Sequence, residues 1–223
     1  MHLEKPAATW PPGPEIPSPG PAIPPRPGVP PQPGVAPQPI LPSWYEPMSI
    51  SLERELADRL LAERTILVDG RLDEALASHV AAQLLLLDAR SNEPIILHLS
   101  STDSELDAAL ALTGAIDLIS APVHIVARGT VRGPAIAVLA AAAQREAHRH
   151  TVFVLSTPKV TADGTADQLA AFAGEHTRQL GRLRDLIANA TGRSPDEVTN
   201  DLDPGRILTA DEAKDYGLIT RLL

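Results

Sequence analysis

Behind residue 47 the apolar positions alternate between two spacings. Leu52, Leu56, Leu60 and Leu61 recur at helical intervals, which predicts a helix from about Met48 through Leu61 with Ser51 as a capping side chain. Thr65 to Val68 reads as a short strand closed by the turn pair Asp69-Gly70. Ala75, Leu76, Val80, Ala81, Leu84, Leu85 and Leu87 then cover a wide arc of a helix over 73–89. Pro94 precedes a strand over Ile95–Leu99, residues 104–119 return to helical spacing, and Pro122 precedes a strand over Val123–Ala127. An alanine-rich helix is expected over Gly133–Ala147 and a strand over Thr151–Leu155. A long helix over 164–190 carries Leu169, Phe172, Leu180, Leu183 and Ile187 on one side and stops near Gly192. Ser194-Pro195-Asp196-Glu197 opens a further helix. Thr209 with Glu212 forms a capping box, Gly217 supplies a stop, and Leu218–Leu222 is a last short strand.

Strands alternating with helices predict an α/β fold, in which right-handed crossovers build a mostly parallel sheet flanked by helices. The strands lack polar alternation, the pattern expected when both faces of a sheet are covered. Composition divides the chain at the same boundary. Residues 1–47 hold 17 of the 23 prolines, so this segment favours polyproline II and turns and reads as a disordered extension to a domain spanning 48–223. Trp10, Trp44 and Tyr45 fall within it and are candidate anchors for a partner. A chain without cysteine has no disulfide framework, thiolate nucleophile or sulfur-ligated zinc. A net charge of −9 without a basic cluster argues against nucleic acid. No apolar run approaches a bilayer span, residues 1–20 lack a secretory pattern, and the expected location is cytoplasmic.

Two blocks carry a family likeness. Leu60 to Ala89, LLAERTILVDGRLDEALASHVAAQLLLLDA, and Thr191 to Ile219, TGRSPDEVTNDLDPGRILTADEAKDYGLI, together resemble the Clp protease proteolytic subunit, the ClpP family of serine peptidases. The likeness extends over nearly all of 52–223, with a short deletion near 142–146. It implies a crotonase-like α/β fold and rings of seven subunits stacked in pairs. It also implies an AAA+ unfoldase as feeder, a Ser-His-Asp triad facing the chamber, and a protruding handle helix between rings. By this resemblance the 164–190 helix is the handle, and Leu169, Phe172, Leu180, Leu183 and Ile187 are its candidates for oligomer contact.

Carried over position by position, the family's reacting groups are missing. Its nucleophilic serine falls on Gly133 within Gly129-Thr130-Val131-Arg132-Gly133-Pro134-Ala135. The neighbour that should donate an oxyanion N–H is Pro134, which has none. The glycine-rich oxyanion turn falls on Ser101-Thr102-Asp103-Ser104, and a charge at Asp103 would oppose a developing oxyanion. The histidine falls on Ser156. The aspartate falls on Gly205, or on Asp203 if the register slides by two. His98 and His124 within strands, and His148 and His150 in a pair too sparse for a metal, supply no replacement base.

These substitutions point to a catalytically inactive subunit with a structural or regulatory place in a Clp-type assembly, without cofactor or metal. It would form a homo-oligomer, or a hetero-oligomer with active Clp proteolytic subunits. The alternative is a divergent peptidase, or another hydrolase of the crotonase-like fold, working through a non-standard site.

Overall fold

Three long parallel strands carry much of the buried apolar mass, and the other elements are arranged around them. The computed structural model describes residues 48–223, with side chains from residue 55 onward. The proline-rich segment with Trp10, Trp44 and Tyr45 lies outside the described residues. The first elements are α1 (Met48–Ala62), β1 (Thr65–Leu72), α2 (Glu74–Asp88), β2 (Ile95–Ser104), α3 (Leu106–Leu118) and β3 (Val123–Arg132). They are followed by α4 (Ala135–Ala140), β4 (Gln144–Ala147), β5 (Val152–Leu155) and α5 (Ala166–Thr191). The chain ends with α6 (Pro195–Leu202), β6 (Arg206–Thr209), α7 (Ala210–Tyr216) and β7 (Arg221–Leu222).

The fold is α/β, with a mixed sheet flanked by helices. The order β1-β2-β3-β4-β7 is parallel throughout. Strand β3 changes partner along its length. Its first half pairs with β4, and its last residues, Thr130–Arg132, pair with β5. An antiparallel strand, β6, then lies against β5. This branching places the ends of β2 and β3 next to the β5–β6 pair, where the candidate site lies.

The helices begin where their sequences direct. Asp73 accepts the Leu76 N–H to cap α2. Thr165, Ser194 and Thr209 form complete capping boxes with Gln168, Glu197 and Glu212. The backbone N–H and hydroxyl of Ser194 hold the Glu197 carboxyl below its usual range, and Thr209 does the same for Glu212. Gly192 and Gly217 close α5 and α7.

Several sequence expectations are corrected. Ser51 lies inside α1, whose first residue is Met48. Asp69-Gly70 does not end its strand: β1 runs on to Leu72 across a bulge, because Arg71 and Leu72 resume pairing with Asp103 and Ser104. The alanine-rich helix expected over Gly133–Ala147 is only α4. The Ala143 N–H bonds to the Val123 carbonyl, and the following residues form β4, so ladder pairing overrides alanine's helix preference. Arg145 of β4 secures that strand by donating to the carbonyls of Leu218 and Ala190, at 3.0 and 2.9 Å. The antiparallel β6 has no counterpart among the expected elements.

The largest correction concerns the sheet's faces. Ile66, Val68, Leu97, Leu99, Ile125 and Ala127 point into a core shared with Val80, Leu84, Leu112, Ile136 and Leu139, all at most 2 % exposed. The opposite face of β1 and β2 is open: Leu67 is 45 % exposed and Ile96 39 %. Apolar Leu67 and Ile96 thus stand on an outward face beside polar Thr65, His98 and Ser100, rather than on a second covered face. Among the described residues no helix is long and apolar enough to cross a membrane.

Candidate functional site

Residues far apart in sequence converge where β2 and β3 end. Gly133 follows β3 with φ +59°, its N–H donating to the Val154 carbonyl of β5 at 2.9 Å. A Cβ built on Gly133 would stand 3.6 Å from the Ser156 hydroxyl oxygen and 3.7 Å from that of Ser104. A Cβ built on Gly205, at φ +111°, would stand 3.9 Å from the Ser156 Cβ and 3.4 Å from the Leu155 carbonyl oxygen. Positions 133, 156 and 205 thus form one cluster, with Ser156 in the middle. Gly205 is the position facing Ser156; Asp203 is the C-cap of α6.

The chemistry of the cluster is limited by what it lacks. Gly133 and Gly205 have no side chain. Pro134, the N-cap of α4 with φ −54°, has no N–H to offer. Ser104 is nearly buried; its hydroxyl donates to the Arg132 carbonyl at 2.9 Å and accepts the Ala135 N–H at 3.0 Å. Both partners are backbone groups, so this serine joins the end of β2 to the β3–α4 turn. Neither Ser104 nor Ser156 hydrogen-bonds a histidine or a carboxylate among the described residues, and acyl transfer requires such a base to activate a hydroxyl.

Two readings of this region change. The Ser101–Ser104 stretch is the end of β2 rather than a turn, held by the Leu72↔Ser104 pairing with β1. Asp103 points outward and pairs with Arg71 at 3.4 Å, and Arg71 also reaches Glu105 at 2.8 Å. The Asp103 carboxylate is thus neutralised at the surface rather than aimed at Gly133. Nothing in the sequence singles out Arg71, because it becomes a partner of Asp103 only once β1 continues past the bulge.

The other candidates lie elsewhere. His148 precedes and His150 ends the exposed β4–β5 turn, while His98 and His124 are half-buried on the open sheet face. Among the described residues no three His, Cys, Asp or Glu side chains gather as metal ligands. The apolar stripe of α5 divides. Leu183 and Ile187 are fully buried in the subunit's own core, and Leu180 packs against it. Leu183 and Ile187 are corrected from contact residues to core residues, because α5 packs on α4 and α6 there, whereas half-buried Leu180 keeps part of its surface outside. Leu169 and Phe172, 39 % and 43 % exposed, remain on the free half, where the Phe172 ring stacks on His176.

Comparison with known proteins bears on the chain as a whole. The sequence model of the family described as Clp protease matches residues 51–223. A relative from Rhodococcus jostii (strain RHA1), described as ATP-dependent Clp protease proteolytic subunit 3, is 31% identical over 171 residues. That match covers 75% of this chain and 85% of the relative.

Proposed function

The chain belongs to the Clp protease family, and from that membership we propose that it is a non-catalytic subunit of a Clp-type proteolytic assembly. The observation that carries this reading is the convergence of Gly133, Ser156 and Gly205 on one point. Misregistered positions would be scattered over the fold. These three adjoin one another as a nucleophile, its base and the base's orienting acid must, and none has the group its role requires. Pro134 and the engaged Ala135 N–H extend the loss to oxyanion stabilisation.

Unmatched apolar surface supports a place in an assembly. Leu67 and Ile96 form one patch on the open sheet face. Leu85, Leu86 and Leu118 form another on the helical side. The latter residues share one end of the helical layer, because Asp88 at the end of α2 accepts the N–H groups of Ser120 and Ala121 just past α3. Two different patches on one subunit favour head-to-tail contacts, which close into a ring when the rotation allows. The free half of α5, with Leu169 and Phe172, is a third surface suited to joining rings.

Native mass spectrometry of the chain, alone and mixed with an active Clp proteolytic subunit from the same cell, tests this reading, with peptide hydrolysis followed in parallel. Mixed or homomeric rings are expected, with no turnover by the chain alone and activity of the mixture altered by its dose. A monomer that ignores the active subunit at all concentrations contradicts the assembly, and turnover by the isolated chain contradicts its non-catalytic character.

A further inference from the structure

Two glycines interrupt α5 where nothing in their surroundings calls for one. Gly174 lies two residues past Phe172, and Gly181 two residues before Leu183. Two residues are about 200° of helical turn, so both glycines lie on the side opposite the apolar stripe. A Cβ built on Gly181 would meet nothing within 4 Å, and one on Gly174 would meet the tip of Arg178 at 3.9 Å. Both sit in ordinary helical backbone. They therefore neither make room for a packed neighbour nor serve a left-handed turn. Each weakens the helix by about fivefold in its equilibrium constant relative to alanine. Gly174 stands within the least supported part of α5, and Gly181 at its root. Residues 166–178 are all exposed or half-buried, whereas Leu183, Ile187 and Ala188 are buried. The first half is held by local bonds: the Thr165–Gln168 capping box, the Glu175–Arg178 pair and the Phe172–His176 stack. Thr177 turns its hydroxyl back to the Ala173 carbonyl at 2.8 Å, a bond that slightly loosens helices. Among the described residues, the first side-chain bond from α5 to another element is that of Gln179 to Asp107 of α3. Helices shorter than about 12–15 residues are marginal in water without tertiary packing.

We propose that residues 166–178 of α5 are a fold-on-contact element: they open and close in the free subunit and become a fixed helix when the same segment of a second copy covers Leu169 and Phe172. The inference rests on the assembly reading above and adds how that contact is tuned. A second copy suits this stripe. Glu175 at its rim is neutralised by Arg178, so two identical faces meet without like-charge repulsion. Ordering the segment costs backbone entropy that the contact must offset. Gly174 and Gly181 enlarge that cost, and so keep the contact weaker and more readily reversed than the same stripe on a rigid helix would make it.

The test is amide hydrogen exchange of the full chain, dilute and assembled, beside sedimentation velocity of wild type and of Gly174→Ala with Gly181→Ala. In the free subunit the amides of 166–178 should exchange within about tenfold of the rate of an unstructured chain, while those of 183–191 stay protected with the core. Assembly should protect the first group without changing the second. The double variant should protect 166–178 even in the free subunit and raise the association constant by at least about fivefold. The exchange measurement on wild type does not depend on how the variant folds. Equal protection of the two groups in the free subunit, protection of 166–178 that does not rise on assembly, or a double variant that assembles no more strongly than wild type overturns the inference while leaving the assembly reading standing. Absence of assembly at every concentration overturns the assembly reading itself.

Discussion

Leu183→Ala or Ile187→Ala will destabilise the subunit by about 2–5 kcal/mol, whereas Phe172→Asp will leave its stability within about 0.5 kcal/mol and weaken its assembly. These residues share one stripe of α5 but have different surroundings. Leu183 and Ile187 are fully buried where α5 packs on its neighbouring helices, so truncation removes transfer energy and leaves a cavity. Phe172 is 43 % exposed and stacks on His176, so a charge there meets water in the free subunit. In a ring-to-ring contact the same charge would have to be desolvated without a partner. Urea denaturation of the three variants, read beside their sedimentation, checks both halves. A Phe172→Asp variant that unfolds, or that assembles as well as wild type, would remove the exposed half of α5 from the contact.

Restoring a triad alone will not restore useful turnover. Gly133→Ser with Ser156→His and Gly205→Asp supplies nucleophile, base and orienting acid at positions already adjacent. There is room for the first: a Cβ at 133 meets its nearest neighbour, the Ser156 carbonyl oxygen, at 3.5 Å. Its left-handed backbone strains any side chain by about 1–3 kcal/mol, a cost that active sites tolerate. The oxyanion would still face Pro134, and the Ala135 N–H would still be held by Ser104. Adding Pro134→Ala returns an N–H at a compatible φ and should raise kcat on a fluorogenic peptide by on the order of 10²–10³ over the triple variant. Equal rates for the two variants would show that residue 134 does not face the oxyanion.

Much of the fold is legible in the sequence where local chemistry is decisive. Asp73, Thr165, Ser194 and Thr209 mark helix starts because a side-chain acceptor must meet the first free N–H groups, a requirement satisfied within four residues. The sequence is less informative where distant strands decide. Arg71 and Leu72 extend β1 only because Asp103 and Ser104 lie alongside, and Gln144–Ala147 become a strand only because β3 offers a free edge. The site is legible as a set of absences. Its residues carry no positive signature, and the bridge made by Ser104 depends on the close approach of two strand ends. The open face has a sequence signal after all: Leu67 and Ile96 occupy outward strand positions where a solvated sheet would carry polar residues.

The central claim is that this chain supplies no activated serine to the assembly it joins. Intact-mass analysis after exposure to a fluorophosphonate tests it most directly, with an active Clp proteolytic subunit in the same tube as positive control. The expected result is that the active subunit gains the adduct mass while this chain keeps its native mass, Ser104 and Ser156 included. A stoichiometric adduct on this chain, mapped to any serine, would contradict the claim.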